Sequence, residues 1–167
     1  DTTPLAKLSA LKRMNAKIIQ IPFDDWWRVL ETHHFDGATG YFIHPVSNPV
    51  VITGHGVIGL EIMDALPDVD TIITPYGGGG LTSGIGSAIR ALKPETRLFA
   101  CEPETGAPLA PSLAAGTPQS VQFTSSFIGG GFGGKAVLPE LWSLVQSLVD
   151  GSLVVSLAEI AESIRLL

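Results

Sequence analysis

Residues 75 to 82, Pro-Tyr-Gly-Gly-Gly-Gly-Leu-Thr, carry the clearest chemistry in this chain of 167 residues. They join an apolar run, Thr71 to Thr74, to a helix-like pattern from Leu81 to Leu92. Four residues without side chains at a strand-to-helix turn let the backbone approach a ligand closely. The first N–H groups of a helix have no partner within it and stand at the positive end of its dipole, so the turn reads as a phosphate cradle. Glycine runs also form loops and turns that bind nothing, and the segment alone leaves both readings open. It is not a Walker loop, since no Lys-Ser or Lys-Thr pair follows the last glycine, and it lacks the Gly-x-Gly-x-x-Gly spacing of dinucleotide folds. A smaller phosphate ester is the better guest.

The remaining reactive residue types read as structural. Cys101 is the single cysteine, which excludes an intrachain disulfide, and its apolar setting, Leu98-Phe99-Ala100, suits a buried thiol. His33 and His34 end a helical stretch, where a cation meets the negative end of the dipole. His44 and His55 belong to turns, Ser83 to the helix after the glycines, and no His spacing suits a metal.

The elements that would position the cradle alternate along the chain. Leu5, Leu8, Leu11 and Met14 place a helix over Pro4 to Ala16, followed by a short strand at Lys17 to Ile21. A helix at Asp24 to Thr32, a strand at Tyr41 to Ile43 and a helix at Val57 to Leu66 come next. Strand 71 to 74, helix 81 to 92 and strand 96 to 101 then form a βαβ unit, which implies a parallel sheet with the glycines at its ligand-binding end. Residues 103 to 135 are rich in Gly, Pro, Ser and Thr, with a short helix near 108 to 115. Phe123, Phe127, Ile128 and Phe132 are costly to expose, so an ordered loop is expected there. Helix 139 to 149, strand 152 to 155 and a helix from Leu157 complete an α/β pattern.

The chain is 45% hydrophobic and 16% charged with a net charge of -6, which suits one ordinary domain with a real core. The acidic balance argues against nucleic acid or an anionic membrane as partner. No apolar run is long enough to span a bilayer, and the expectation is a soluble, cytoplasmic protein.

The succession His44-Pro45, Asn48-Pro49-Val50-Val51-Ile52, Gly54-His55-Gly56, Leu60-Glu61-Ile62, Pro75 to Leu81, Ala91-Leu92-Lys93-Pro94 and Glu102-Pro103 resembles the serine/threonine dehydratase and serine racemase family. These are pyridoxal-phosphate enzymes of the tryptophan-synthase-β-like fold, fold type II. The resemblance implies a three-layer αβα fold with a mainly parallel sheet, residues 1–45 ending a smaller domain and 46–167 forming part of the larger one. It implies that Gly77, Gly78, Gly79 and Gly80, with the N–H of Leu81, hold the phosphate of pyridoxal phosphate. The activity it implies is ammonia removal from L-threonine or L-serine. A serine racemase-like activity and a non-catalytic truncated domain are the alternatives, and a homodimer the implied assembly.

Other family features are missing. The cofactor-bearing lysine of a Ser-Phe-Lys-x-Arg motif matches none of Lys7, Lys12, Lys17, Lys93 or Lys135. The Ser-Ser-Gly-Asn-His-Gly loop and the late Ser-Gly-Gly-Asn segment are absent as well, so the chain reads as a middle fragment, inactive by itself. A divalent-cation site of some members maps to Glu102, Gly106 and Pro108, but proline offers no carboxylate, and a hydrogen-bonding role for Glu102 is the better reading. Near Ile128, where the family often carries Asp-Gly, the chain reads Gly129-Gly130-Gly131-Phe132-Gly133-Gly134. A second phosphate loop is one reading of it and a flexible connector the other.

Overall fold

The computed structural model describes residues 3–128 and 133–167. In chain order the elements are α1 (Leu5–Arg13), α2 (Phe23–Thr32), α3 (Pro49–Ala65), β1 (Thr71–Pro75), α4 (Gly80–Leu92), β2 (Arg97–Pro103), α5 (Leu109–Ala115), α6 (Pro139–Leu148), β3 (Gly151–Val155) and α7 (Leu157–Leu166). The strands form one parallel sheet in the order β1-β2-β3, with Ile72 beside Leu98 and Phe99 beside Gly151. The βαβ unit expected from the sequence is β1-α4-β2, and the glycines lie at its first turn.

Alternation along β1 and β2 buries one face of the sheet under helices. Ile72 and Leu98 pack with Ile85 and Ile89 of α4 and Leu148 of α6. Farther along, Tyr76 and Ala100 pack with Leu109, Leu141, Trp142 and Val145. Each fully buried side chain of this size contributes about 1.5–3 kcal/mol, so these clusters anchor the strand ends that present the cradle. Arg90 fastens the far end of α4, donating to the carbonyls of Pro94 at 2.9 Å, Thr96 at 2.6 Å and Leu148 at 2.6 Å, and pairing with Asp150 at 2.7 Å. Asp150 in turn accepts the N–H of Leu98 at 2.7 Å, which ties α4, β2 and the start of β3 together.

Three expectations need correction. Residues 17–21 and 41–43 are not strands. An extended run becomes a strand only by pairing its N–H and C=O groups with a neighbour, and neither run has a ladder among the described residues. The third correction is α3, which starts at Pro49, eight residues before the expected Val57. Asn48 caps it, its side chain accepting the N–H of Val50 at 2.9 Å, and Pro49 occupies the first turn.

Gly54 and Gly56 therefore lie inside a helix, where they look out of place by propensity alone. Steric contact with α4 does not require either of them: a Cβ on Gly56 would make only an ordinary contact, 3.4 Å from the carbonyl of Gly84, and one on Gly54 would meet nothing within 4 Å. Gly84 itself could not carry one, because it would fall 2.4 Å from the carbonyl of Ile52 and 2.5 Å from His55 Cβ. The two helices meet backbone to backbone, which sets where the N-terminus of α4 stands.

The segment after β2 is ordered as expected where it is described. Val121 donates to Lys135 and Thr124 to Thr105, each at 2.8 Å, and Phe123 stacks on Phe23 with ring centroids 4.9 Å apart. Phe127, expected to be covered, is 59% exposed. Most of the second glycine run, residues 129–132, lies outside the described residues.

Candidate functional site: a glycine cradle at the start of α4

β1 ends at Pro75 and α4 begins at Gly80, so residues 76–79 make the whole connection. Tyr76 continues the ladder by donating to Cys101 at 2.8 Å, and its carbonyl accepts the N–H of Gly133 at 2.9 Å. Gly79 then turns the chain with φ +96° and caps the helix, its carbonyl accepting from Ser83 at 2.8 Å. A left-handed residue in this place favours glycine.

Each of the last three glycines is constrained by a neighbour as well as by the turn. A Cβ on Gly78 would lie 2.6 and 2.7 Å from the two methyl groups of Val46, and one on Gly80 would lie 2.5 Å from the carbonyl oxygen of Val46. On Gly79 it would meet the ring of Tyr76 at 3.0 Å. The loop is therefore held in shape by Val46 and Tyr76, and larger residues would displace it.

Among the described residues, the backbone N–H groups of residues 77–82 have no hydrogen-bond partner. No acidic side chain stands in the first turn of α4 to occupy them. Donors without acceptors at a helix N-terminus suit an anion, so the residues present fit the phosphate of pyridoxal phosphate. Gly77 and Gly78 also line a cavity of about 460 Å³, walled by Val46, Trp27, Phe23 and Phe123. All five residues assigned to phosphate binding from the sequence, Gly77, Gly78, Gly79, Gly80 and Leu81, come together at this turn.

Val46 was not legible as a site residue, and His44 is what positions it. His44 is 2% exposed, and its Nδ1 accepts the N–H groups of Val46 at 3.1 Å and Ser47 at 2.8 Å. The proton then lies on Nε2, which donates to the carbonyl of Leu30 at 3.0 Å. Burial pushes the imidazole below its ordinary pKa, so it stays neutral. The turn-shaping role expected of His44 is thus realised one layer behind the cradle. His55, expected in a turn, lies instead inside α3, at its contact with Gly84 of α4.

His33, His44 and Glu140 converge, with ligand atoms within 4.8 Å of one another. Sequence could not reveal this cluster, because Glu140 lies far along the chain from the two histidines. The tautomer of His44 leaves it no lone pair for a cation, and His33 simply pairs with Glu140 at 3.0 Å. His33 has φ +56° and closes α2, while His34 pairs with Asp36 at 2.8 Å.

Glu102 is fully buried and capped from three sides. Its carboxylate accepts the N–H groups of Leu109 at 2.9 Å and Ala110 at 3.2 Å, and the hydroxyl of Ser152 at 2.8 Å. It tethers the start of α5 to β3, the hydrogen-bonding role expected of it. Burial pushes its pKa up, against the pull of these donors. Burial likewise raises the thiol of half-buried Cys101, which disfavours the thiolate.

Of the lysines, Lys7 lines the cavity, Lys93 donates to the carbonyls of Pro67 and Val69 at 2.8 and 3.2 Å, and Lys135 pairs with Asp24 at 2.8 Å. Among the described residues no helix is long and apolar enough to cross a membrane.

The profile of the family described as "Pyridoxal-phosphate dependent enzyme" matches residues 1–167. An L-threonine ammonia-lyase of Thermotoga maritima is 34% identical over 98% of this chain and 41% of its own length. A serine racemase of Oryza sativa subsp. indica is 33% identical over 98% of this chain and 48% of its own. The processed form of threonine deaminase isoform 2 from Solanum lycopersicum superposes with a TM-score of 0.82 at 28% identity, covering 97% of this chain and 47% of that one. The chain thus spans about half the length of the relatives it matches.

Proposed function

The chain belongs to the family of pyridoxal-phosphate dependent enzymes, and from that premise we propose that the whole protein is an ammonia-lyase acting on L-threonine or L-serine. Residues 77–81 hold the phosphate of its cofactor. Residues 46–167 belong to the cofactor-binding domain and residues 1–45 to the smaller one. The observation that carries the reading is the row of N–H groups, unpartnered among the described residues, at a glycine turn braced by Val46 and Tyr76. Similarity to an L-threonine ammonia-lyase over nearly the whole chain supports the substrate class. The comparable similarity to a serine racemase supports amino-acid racemisation as a second reading.

When bound, pyridoxal phosphate supplies an electron sink for charge that develops at the substrate α-carbon. The part played by these 167 residues is to bind and orient it. The N–H groups of residues 77–81 donate to phosphate oxygens, and the dipole of α4 offsets their charge. Trp27, Phe23 and Phe123 wall the adjoining cavity. Neither the Ser-Phe-Lys-x-Arg motif nor the Ser-Ser-Gly-Asn-His-Gly loop occurs in the sequence, so the proposed role of this chain ends at holding the cofactor.

Two measurements test this. Pyridoxal phosphate should bind the 167-residue chain at least tenfold tighter than pyridoxal, which lacks the phosphate, a difference of about 1.4 kcal/mol or more. Equal affinity would sink the cradle assignment. Formation of 2-oxobutanoate from L-threonine should stay at the level of free cofactor, because positioned acid–base catalysis supplies about 10² to 10⁴ in rate and orientation supplies more. Turnover within a hundredfold of about 10 s⁻¹, a median enzyme value, would show that a lysine in this chain serves as base. Lys7 would be the first to replace.

A further inference from the structure

Ser47 Oγ, Tyr76 Oη and Ser83 Oγ are the buried side-chain polar atoms without a hydrogen-bond partner among the described residues. All three border the glycine turn. Tyr76 immediately precedes it, Ser83 stands in the first turn of α4, and Ser47 follows Val46, whose carbonyl presses on Gly80. Buried hydroxyls are normally paired, because leaving one unpaired forfeits its hydration. Three unpaired hydroxyls around one loop suit an acceptor-rich ligand.

Tyr76 is the best placed of them. Its side chain is fully buried, and its hydroxyl oxygen lies 3.1 Å from where a Cβ on Gly79 would sit, which puts it against the backbone of the cradle itself. Burial, with the charge of Glu102 adding to it, pushes the phenol well above its ordinary pKa. The group therefore remains a donor throughout the working pH range. A phosphate monoester presents oxygen acceptors with more lone pairs than a few backbone N–H groups can satisfy.

We propose that the Tyr76 hydroxyl is a further phosphate-binding group, donating a hydrogen bond to the phosphate held by the backbone N–H groups of residues 77–81. The proposal rests on the reading that this turn holds the cofactor's phosphate. It gives a physical reason for a tyrosine at the end of a strand whose other inward side chains, Ile72 and Thr74, are smaller.

Binding of pyridoxal phosphate, pyridoxal and inorganic phosphate to the 167-residue chain and its Tyr76→Phe variant tests this, with thermal unfolding of each protein without ligand. The variant should bind pyridoxal phosphate and inorganic phosphate at least tenfold more weakly, yet pyridoxal within twofold of the unaltered chain. Its Tm without ligand should hold or rise, because only an unpaired hydroxyl is removed. Unchanged affinity for pyridoxal phosphate in the variant overturns the role of Tyr76 while leaving the cradle standing. Equal loss of pyridoxal and pyridoxal phosphate binding, with a lower Tm, overturns it in favour of a packing role. An unaltered chain that does not distinguish pyridoxal phosphate from pyridoxal overturns both the cradle and the tyrosine's part in it.

Discussion

Adding a single methyl group at Gly78 should damage folding and cofactor binding together, and removing Val46's methyl groups should undo much of the damage. The new Cβ would fall 2.6 and 2.7 Å from the Val46 methyl carbons and 3.2 Å from its Cβ. Contacts that short force something to move. Val46 has a β-branched side chain with little rotamer freedom, and its backbone is pinned through its N–H to His44. Overpacking of this kind costs about 1–3 kcal/mol. The loop is the softer partner, so its N–H groups should lose their convergence, and pyridoxal phosphate should bind at least tenfold more weakly, about 1.4 kcal/mol.

In the Val46→Ala background the obstructing methyl groups are gone. Val46→Ala alone should cost about 1 kcal/mol, since this side chain is only partly buried. Adding Gly78→Ala to it should then cost little more. Urea unfolding of the four proteins closes a double-mutant cycle, for which we expect a coupling of about 1–2 kcal/mol in the direction of rescue. Tryptophan fluorescence titrated with pyridoxal phosphate supplies the matching affinities. Additivity within about 0.5 kcal/mol, together with undiminished affinity in Gly78→Ala, would refute the argument that Val46 shapes the cradle.

Two other groups make separate predictions. Glu102→Gln should destabilise by about 1–3 kcal/mol in urea unfolding, because the amide NH₂ must face one of the three donors now bonded to the carboxylate. Burial raises the Glu102 pKa, so the folded state holds its proton to higher pH than the unfolded chain; stability should therefore decline as pH rises above the ordinary carboxyl value of 4.5, and the Gln variant should lack that decline. His44 has the opposite sense. Burial lowers its pKa, so below its ordinary value of 6.5 the unfolded chain takes up a proton that the folded one resists, and stability should fall as pH drops through that value. The same titration on His44→Gln should be flatter, and an unchanged profile would refute the part given to His44.

Much of this protein can be read along the chain because the relevant signals are local. The apolar run at 71–74, the glycines and the amphipathic stretch after them announce strand, turn and helix in sequence order, and that order alone implies a parallel βαβ unit with a ligand at its turn. The run from Gly77 to Leu81 carries its own chemistry, since the donors are backbone groups and glycine is the residue that exposes them. The break at His44 was legible in the same way, from the proline that follows it, whereas the hydrogen-bonding role of Glu102 came from weighing the cation site that the family resemblance implies.

What the sequence could not contain is which distant atoms press on which. The runs at 17–21 and 41–43 have strand-like residues, but a strand exists only where a partner ladder does, and pairing is a property of the fold. Gly54-His55-Gly56 reads as the lead-in to a helix because helix propensity is intrinsic to each residue, whereas the approach of α3 to α4 that sets Gly84 against Ile52 and His55 is made by the tertiary contact. Val46 and Tyr76 look like ordinary core residues until the chain brings one beside Gly78 and Gly80 and the other beside Gly79. Backbone chemistry is written in residue order, but the shape in which a loop is held depends on steric contact across many residues of separation, and only folding brings those atoms within reach.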